Sequence, residues 1–356
     1  MRQFRTPARA GSLPFRPRGH PAGWVPRNHL AESRCGFGRL VDQVVTGAAG
    51  FLGSHLVDRL LSEGGRVVGV DNFSTGSSAN LRDALGSRKF RLVRADLVRT
   101  SRLPRAGEYY HLASPASPRA YQRDPVGTLL VNSVGTRRVL EAARRADARV
   151  LLASTSEVYG DPEVDPQSEG YWGHVNPVGP RSCYDEGKRF AEALSAAYRR
   201  RYGLDVRIVR IFNTYGPRMD PGDGRVVSNF IVQGLRGLPF TVYGRGTQRR
   251  SYCYVSDLIE GVVRLMAADH GVPTPMNLGN PRGFTVRETA HVVARLLGIE
   301  PRLEFRPLPE DDPRRRSPDI RRARRYLDWR PRVPFETGVR RTIEYFRSQG
   351  IGGRGT

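Results

Sequence analysis

Two hydrophobic periods alternate along the chain. Short apolar runs rich in β-branched residues, at Val44-Val45 and Val67–Val70, suit strands buried on both faces of a parallel sheet. Between them Leu52, Leu56, Leu60 and Leu61 recur at helical spacing, which predicts a helix joining the two strands. KFRLVRADL, EYYHLAS, RVLLAST and DVRIVRIF predict a third to a sixth strand, the third ending in Asp96. DPVGTLLVNSVGTRRVLEAARRADAR predicts a helix with Asp124 as N-cap and Pro125 in its first turn. Asn132, inside that helix, reads as a solvated side chain. CYDEGKRFAEALSAAYRRRYG is amphipathic and helical, and YVSDLIEGVVRLMAA predicts a helix that returns to the sheet. Strands alternating with helices imply an α/β fold with a doubly wound parallel sheet, whose ligands sit at the carboxyl ends of the strands.

The turn after the first strand carries Gly47, Gly50 and Gly53. The first glycine permits a tight turn, the second lets the backbone approach a pyrophosphate, and the third lets helix and strand pack closely. Phe51 and Leu52 then open a helix whose first N–H groups form an anion site. The second strand ends in Asp71, where a carboxylate accepts from a ribose 2′-hydroxyl and repels a 2′-phosphate, so NAD is favoured over NADP. This order of strand, glycines, helix, strand and acid marks a Rossmann-type dinucleotide site. Asn72, Thr75 and Gly76 beyond the second strand, Asp96 and Leu97 beyond the third, and Leu112 beyond the fourth complete the expected cofactor contacts.

Charge sharpens one position. Lys and Arg together number 58 against 35 acidic residues, a net charge of +23, yet only Lys89 and Lys188 are lysines. The arginines are spread along the whole chain, which reads as solvated faces and not as a specific nucleic-acid site. A lysine that persists in an Arg-saturated chain points to a need for a compact ammonium. Lys188 lies four residues after Tyr184, on the same helical face. A nearby cation lowers a phenol's pKa toward neutrality, so Tyr184 is a candidate base for a sugar hydroxyl. The fifth strand exits through Thr155, Ser156 and Glu157, two hydroxyls and a carboxylate aimed at the same crevice.

Other classes find little support. Cys35, Cys183 and Cys253 are too few and too scattered for a disulfide framework or a zinc site, so no metal is expected. No apolar run approaches about 18 residues, and no signal-peptide core precedes the first strand, so a reducing cytoplasm is the default and no membrane partner is expected. Residues 1–40 are basic and rich in Pro and Gly, and are expected to form a disordered extension.

TGAAGFLG, Asp71, STSEVYG and Tyr184-x-x-x-Lys188 together resemble the extended short-chain dehydrogenase/reductase family that remodels nucleotide sugars. LASPASP (112–118), YWGHVNPVGPRSCYDEGKR (171–189), RIFNTYGPRM (210–219), VYGRGTQRRSYCYVSDL (242–258) and DDPRRRSPDI (311–320) resemble its UDP-glucuronate decarboxylase branch, from about Val41 to Phe346. The resemblance implies NAD-dependent conversion of UDP-glucuronate to UDP-xylose through a 4-keto sugar, in a homodimer. It implies catalytic roles for Thr155, Ser156, Glu157, Tyr184, Lys188 and Arg316. It also implies substrate contacts from Ser114, Asn213, Arg218, Arg225, Tyr243, Arg250 and Arg316. Residues 41–216 with about 251–274 are expected to form the NAD-binding domain. Residues of about 217–250 and 275–346 should form a smaller, mainly helical UDP-sugar lobe, followed by a flexible tail at 347–356. The chain departs from the branch at Leu130 and Val131, where a lysine usually precedes the asparagine. A 4,6-dehydratase, a 4-epimerase and a decarboxylase that releases the keto pentose stay open as alternatives, as do a non-catalytic NAD-sensing protein and a charge-driven nucleic-acid binder.

Overall fold

The valines of the first two strands have no polar face to show to water. In β1 (Val41–Thr46) Val44 and Val45 are fully buried, and every residue of β2 (Val67–Asp71) is buried. These strands form the middle of a sheet and not its rim. The computed structural model describes residues 41–100 and 102–352. The extension expected over residues 1–40 lies outside them.

β3 (Phe90–Arg94), β4 (Ala106–His111), β5 (Arg149–Thr155) and β6 (Val206–Ile211) pair in parallel with these two. A seventh strand, Met276–Leu278, pairs in parallel with β6, giving the order seventh, β6, β5, β4, β1, β2, β3. The order reverses between β1 and β4, which opens a crevice where Gly47 leaves one strand and Leu112 leaves the other. β3 ends at Arg94, two residues short of the expected Asp96, which caps the turn that follows by accepting from the Val98 amide at 2.7 Å.

Helix α1 (Phe51–Ser62) starts on the glycines, with Leu56, Val57 and Leu60 buried. The helix expected after Asp124 is present, and the Asp124 carboxylate accepts from the Gly127 amide at 2.9 Å. It is not continuous. Pro125–Leu130 passes into a π-turn at Val131–Gly135 before Thr136–Ala146 resumes α-geometry. Such turns mark places where a helix redirects one side chain. Here that side chain is Asn132, which is fully buried and not solvated as expected. Its Nδ2 donates to the Thr128 carbonyl at 2.9 Å and to Ser114 Oγ at 3.0 Å.

The helix Ser182–Tyr202 buries Tyr184, Lys188, Ala191, Ser195 and Tyr198 on one face, against β5 and β6. Beyond β6 the chain builds helices Val226–Leu235, Val286–Leu297 and Phe335–Ser348. It also builds three small sheets, the first a parallel pair of Thr214–Tyr215 with Cys253–Tyr254. Phe240–Tyr243 pairs with Leu303–Arg306, and Arg249–Ser251 lies between Gly283–Thr285 and Arg315–Arg316. Most of the regular structure in this region is helical, and the main sheet takes up Met276–Leu278. In the described part of the tail, the Ile351 amide donates to the Phe346 carbonyl at 3.0 Å and its side chain packs on the core. Among the described residues no helix is long and apolar enough to cross a membrane.

Candidate active site

One cleft of about 1470 Å³ runs across the carboxyl ends of β1, β2, β4, β5 and β6. Its floor is the glycine turn. Gly47 has φ +72°, and a Cβ on it would lie 2.8 Å from the Ala113 amide nitrogen. A Cβ on Gly53 would lie 1.9 Å from the Gly47 carbonyl oxygen. No side chain caps the start of α1 and its first turn carries no acid, so its amides face the cleft ready for an anion. Asp71 is fixed at the end of β2, where its carboxylate accepts from the Ala49 amide at 2.8 Å and the Phe73 amide at 2.7 Å. Each oxygen keeps a second lone pair for a hydroxyl. These residues fit a dinucleotide. Phe51, Leu52, Asn72, Thr75, Asp96, Leu97 and Leu112 line the same cleft. Gly76 does not line it: it sits under the glycine turn, where a Cβ would meet the Ala49 backbone at 2.8 Å.

The other expected residues reach the cleft from several elements. Thr155 ends β5, and Ser156 and Glu157 begin the tight turn Ser156–Tyr159. The Glu157 amide donates to Thr155 Oγ1 at 3.2 Å. Glu157 is buried, not a surface acid, and two guanidiniums meet it: Arg181 Nη2 at 2.6 Å from Oε2 and Arg316 Nη1 at 3.3 Å from Oε1. Burial alone would raise its pKa, yet Arg181 and Arg316 hold it well below the usual carboxylate range. Arg250 and Arg316 are register partners in the small three-stranded sheet, which explains why both enter the cleft. Arg250 donates to Asp312 at 2.8 Å, and Asp312 also lies 3.8 Å from Arg181. Arg218, at φ +68°, pairs with Asp58 at 2.6 Å, and Arg225 with Asp223 at 2.7 Å. Ser114, Asn213 and Tyr243 line the cleft beside them, and so does Leu130, which stands where a lysine was expected.

Tyr184 and Lys188 share a face as their spacing requires, but not in the expected electrostatic relation. Lys188 Nζ donates to the Ala153 carbonyl at 2.9 Å and lies 5.9 Å from the centre of the Tyr184 ring. Burial pulls Lys188 down to about 7, against the charge of Glu192. Tyr184 is pushed up, first by burial and then by Glu157; the Thr155 hydroxyl and Arg225 draw it down, and Lys188 is not among the leading influences. The expected descent of the phenol toward neutrality under Lys188 is thus absent in the chain by itself. Burial takes His111, beneath the site at the end of β4, down to about 3, so it is a neutral ring between Thr46 and Thr136.

Three residues escaped the sequence reading. Arg181 pairs with Glu157, Asp185 adjoins that pair, and Tyr121 stacks on Tyr184 with ring centres 5.0 Å apart. Arg181 and Asp185 stand four residues apart around Tyr184, a spacing that signals a paired helical face.

A glycine-cradled dinucleotide crevice with a Tyr and a Lys on one helical turn defines a short-chain dehydrogenase/reductase-type enzyme. Residues 43–279 match the family model described as the NAD dependent epimerase/dehydratase family. The chain belongs to that family. It is 52% identical over 306 residues to UDP-glucuronic acid decarboxylase 1 of Xenopus tropicalis, covering 86% of this chain and 72% of the relative. It is 51% identical to UDP-glucuronic acid decarboxylase 6 of Arabidopsis thaliana, covering 85% and 88%. Among solved structures it is similar to UDP-glucose 4-epimerase of Thermotoga maritima with UDP-glucose (TM-score 0.79, 31% identity, 86% of this chain and 99% of that one). It is also similar to UDP-glucuronic acid 4-epimerase of Bacillus cereus in complex with UDP-glucuronic acid and NAD (TM-score 0.79, 27% identity, the same coverages).

Proposed function

We propose that the chain is an NAD-dependent UDP-glucuronate decarboxylase that forms UDP-xylose and CO2 through a 4-keto sugar. The observation that carries this is the meeting of Tyr184 with the buried Glu157–Arg316 pair at the exit of β5, in a chain about half identical to relatives named as decarboxylases. In this reading the backbone at Gly47, Gly50 and Gly53 holds the pyrophosphate of NAD, Asp71 holds its adenosine ribose, and Lys188 holds the nicotinamide ribose. Bound there, the nicotinamide supplies a reversible hydride acceptor for C4 of the sugar.

Tyr184 takes the C4 hydroxyl proton, with the Thr155 and Ser156 hydroxyls orienting that oxygen. Tyr184 accepts that proton as a phenolate, a charge that burial and Glu157 oppose in the free chain and that the Thr155 hydroxyl and Arg225 favour. A ketone at C4 turns the C5 carboxylate into a β-keto acid. The electron pair of the breaking C–C bond then has an enolate to enter. Glu157, paired with Arg316, serves the protonation of C5, and Tyr184 returns its proton to O4. Arg250 and Arg225 suit the diphosphate, because a guanidinium grips it with two bonds. Ser114, Asn213, Arg218 and Tyr243 complete the substrate side. Residues of about 217–250 and 275–346 are the UDP-sugar lobe in this reading. A homodimer belongs to it as well, supported by exposed Val126, Leu129 and Phe190 on neighbouring helices.

The test is incubation of the purified chain with UDP-glucuronate and substoichiometric NAD, following CO2 and the nucleotide sugar by NMR. UDP-xylose in excess over NAD is the expected product. A 4-epimerase or a dehydratase evolves no gas, and an enzyme that releases the keto pentose stops when NAD is spent. Either outcome replaces the reading.

A further inference from the structure

Decarboxylation of UDP-glucuronate consumes one proton per turnover. The carboxylate leaves as CO2, its electron pair enters the enolate, and C5 gains a hydrogen that the carboxylate never carried. Tyr184 cannot supply it, because the proton it takes from O4 goes back to O4. A further group must carry this proton to C5.

Asp185 is the chain's unexplained acid. It lies next to Tyr184 on the helix Ser182–Tyr202 and is buried, with Oδ1 sealed from solvent and without a hydrogen-bond partner. Its carboxyl is within hydrogen-bonding reach of Glu157. Two buried carboxyls in contact cannot both be charged cheaply, so such a pair keeps one proton between them. The surroundings agree. Glu157 takes both guanidiniums, Arg181 from one turn earlier on the same helix and Arg316 from the strand Arg315–Arg316. Tyr121, from the helix Pro118–Arg123, closes the far side with a buried hydroxyl that also has no partner. Burial and the charge of Glu157 raise Asp185 well above the carboxylate range, against the pull of Arg181 and Arg316. A carboxylic acid at Asp185 donates to a carboxylate at Glu157, whereas two carboxylates there only repel.

We propose that Asp185 and Glu157 share a single proton, and that this proton is the one delivered to C5 once CO2 has left. The second half rests on the functional reading above. Glu157 lines the cleft and Asp185 stands behind it, so Asp185 is a positioning residue that acts through Glu157. The Asp185 O–H bond breaks as its proton passes to Glu157, the Glu157 O–H bond breaks as C5–H forms, and the enolate electron pair becomes that C–H bond. Solvent restores the proton to Asp185 before the next turnover.

D185N is the decisive variant, because an amide copies the neutral acid in shape and polarity but has no proton to give. D185N is expected to melt like the wild type at pH 7. In a single turnover it releases CO2 at the wild-type rate, while UDP-xylose appears about 10²-fold more slowly, the share usual for a positioned proton donor. UDP-xylose formation within about twofold of wild type overturns the proposal, and so does an equal slowing of both products. A second measurement needs no substrate, and its first arm needs no variant. The infrared spectrum of the wild-type chain at pH 7 should contain a C=O band of a buried protonated carboxyl that shifts in D2O, and loss of that band in D185N assigns it. A wild-type spectrum without such a band overturns proton sharing. A wild type that shows the band but releases no CO2 overturns the functional reading, and with it the delivery to C5, while proton sharing stands.

Discussion

A methyl group at Gly53 has nowhere to go. It would lie 1.9 Å from the Gly47 carbonyl oxygen, and both partners are backbone, so no rotamer relieves the clash. We expect Gly53→Ala to cost about 1–3 kcal/mol, as overpacking in a tight contact does, and to weaken dinucleotide binding with it. Calorimetry of the free chain and a fluorescence titration with NAD check this; wild-type values in both would mean that the turn relaxes freely. Chemistry of this local kind is legible in a sequence. Gly47, Gly53 and Asp71 act through backbone geometry set within a few residues, and Tyr184 with Lys188 through one helical turn. The roles of Arg181 and Asp185 were not legible although their spacing marks a paired face, because they depend on Glu157, which arrives in the turn after β5 and only becomes expensive to charge once buried. The same distance accounts for Tyr184, whose phenol answers to Glu157 and burial more than to the lysine one turn away.

Among the elements, the helix opened by Asp124 joins local signals to the site. Its cap is written in the sequence, Asp before Pro, and the cap bond to Gly127 forms. Its π-turn is not written, because one extra residue per turn shows only as a phase shift in burial, here Asn132, Gly135 and Thr136 all facing inward. That shift carries Asn132 to Ser114 at the edge of the crevice. Asp124→Ala should cost about 1 kcal/mol, and Asp124→Asn much less, because the amide oxygen still accepts from the helix amides. Urea denaturation of the three chains measures both. Equal midpoints would mean that tertiary packing alone holds the helix start. The strands divide along the same line. Six were legible as apolar stretches of five to seven residues, whereas Met276–Leu278 is three residues long and is a strand only because β6 offers it a partner at Val209–Ile211.

For the molecule as a whole, the net charge of +23 says less about partners than the pairing of the arginines in the cleft. Arg218, Arg225, Arg250 and Arg316 each already face a carboxylate, from Asp58, Asp223, Asp312 and Glu157 respectively. Asp312 joins two of these groups, since it lies against both Arg250 and Arg181 and so links the proposed diphosphate end to the proposed reacting end. In the proposed reading a UDP moiety enters by taking over guanidiniums from internal acids, and its binding couples the small C-terminal sheets to the exit of β5. UDP at about 100 times its Kd should stabilise the chain by about 2.7 kcal/mol, read as a rise in Tm. Arg250→Ala should lose most of that rise whatever its own starting Tm. Arg250→Lys should recover only part of it, because an ammonium cannot hold a diphosphate with two parallel bonds. A UDP-induced shift in Arg250→Ala as large as in the wild type would place the diphosphate elsewhere in the cleft and remove Arg250 from the binding set.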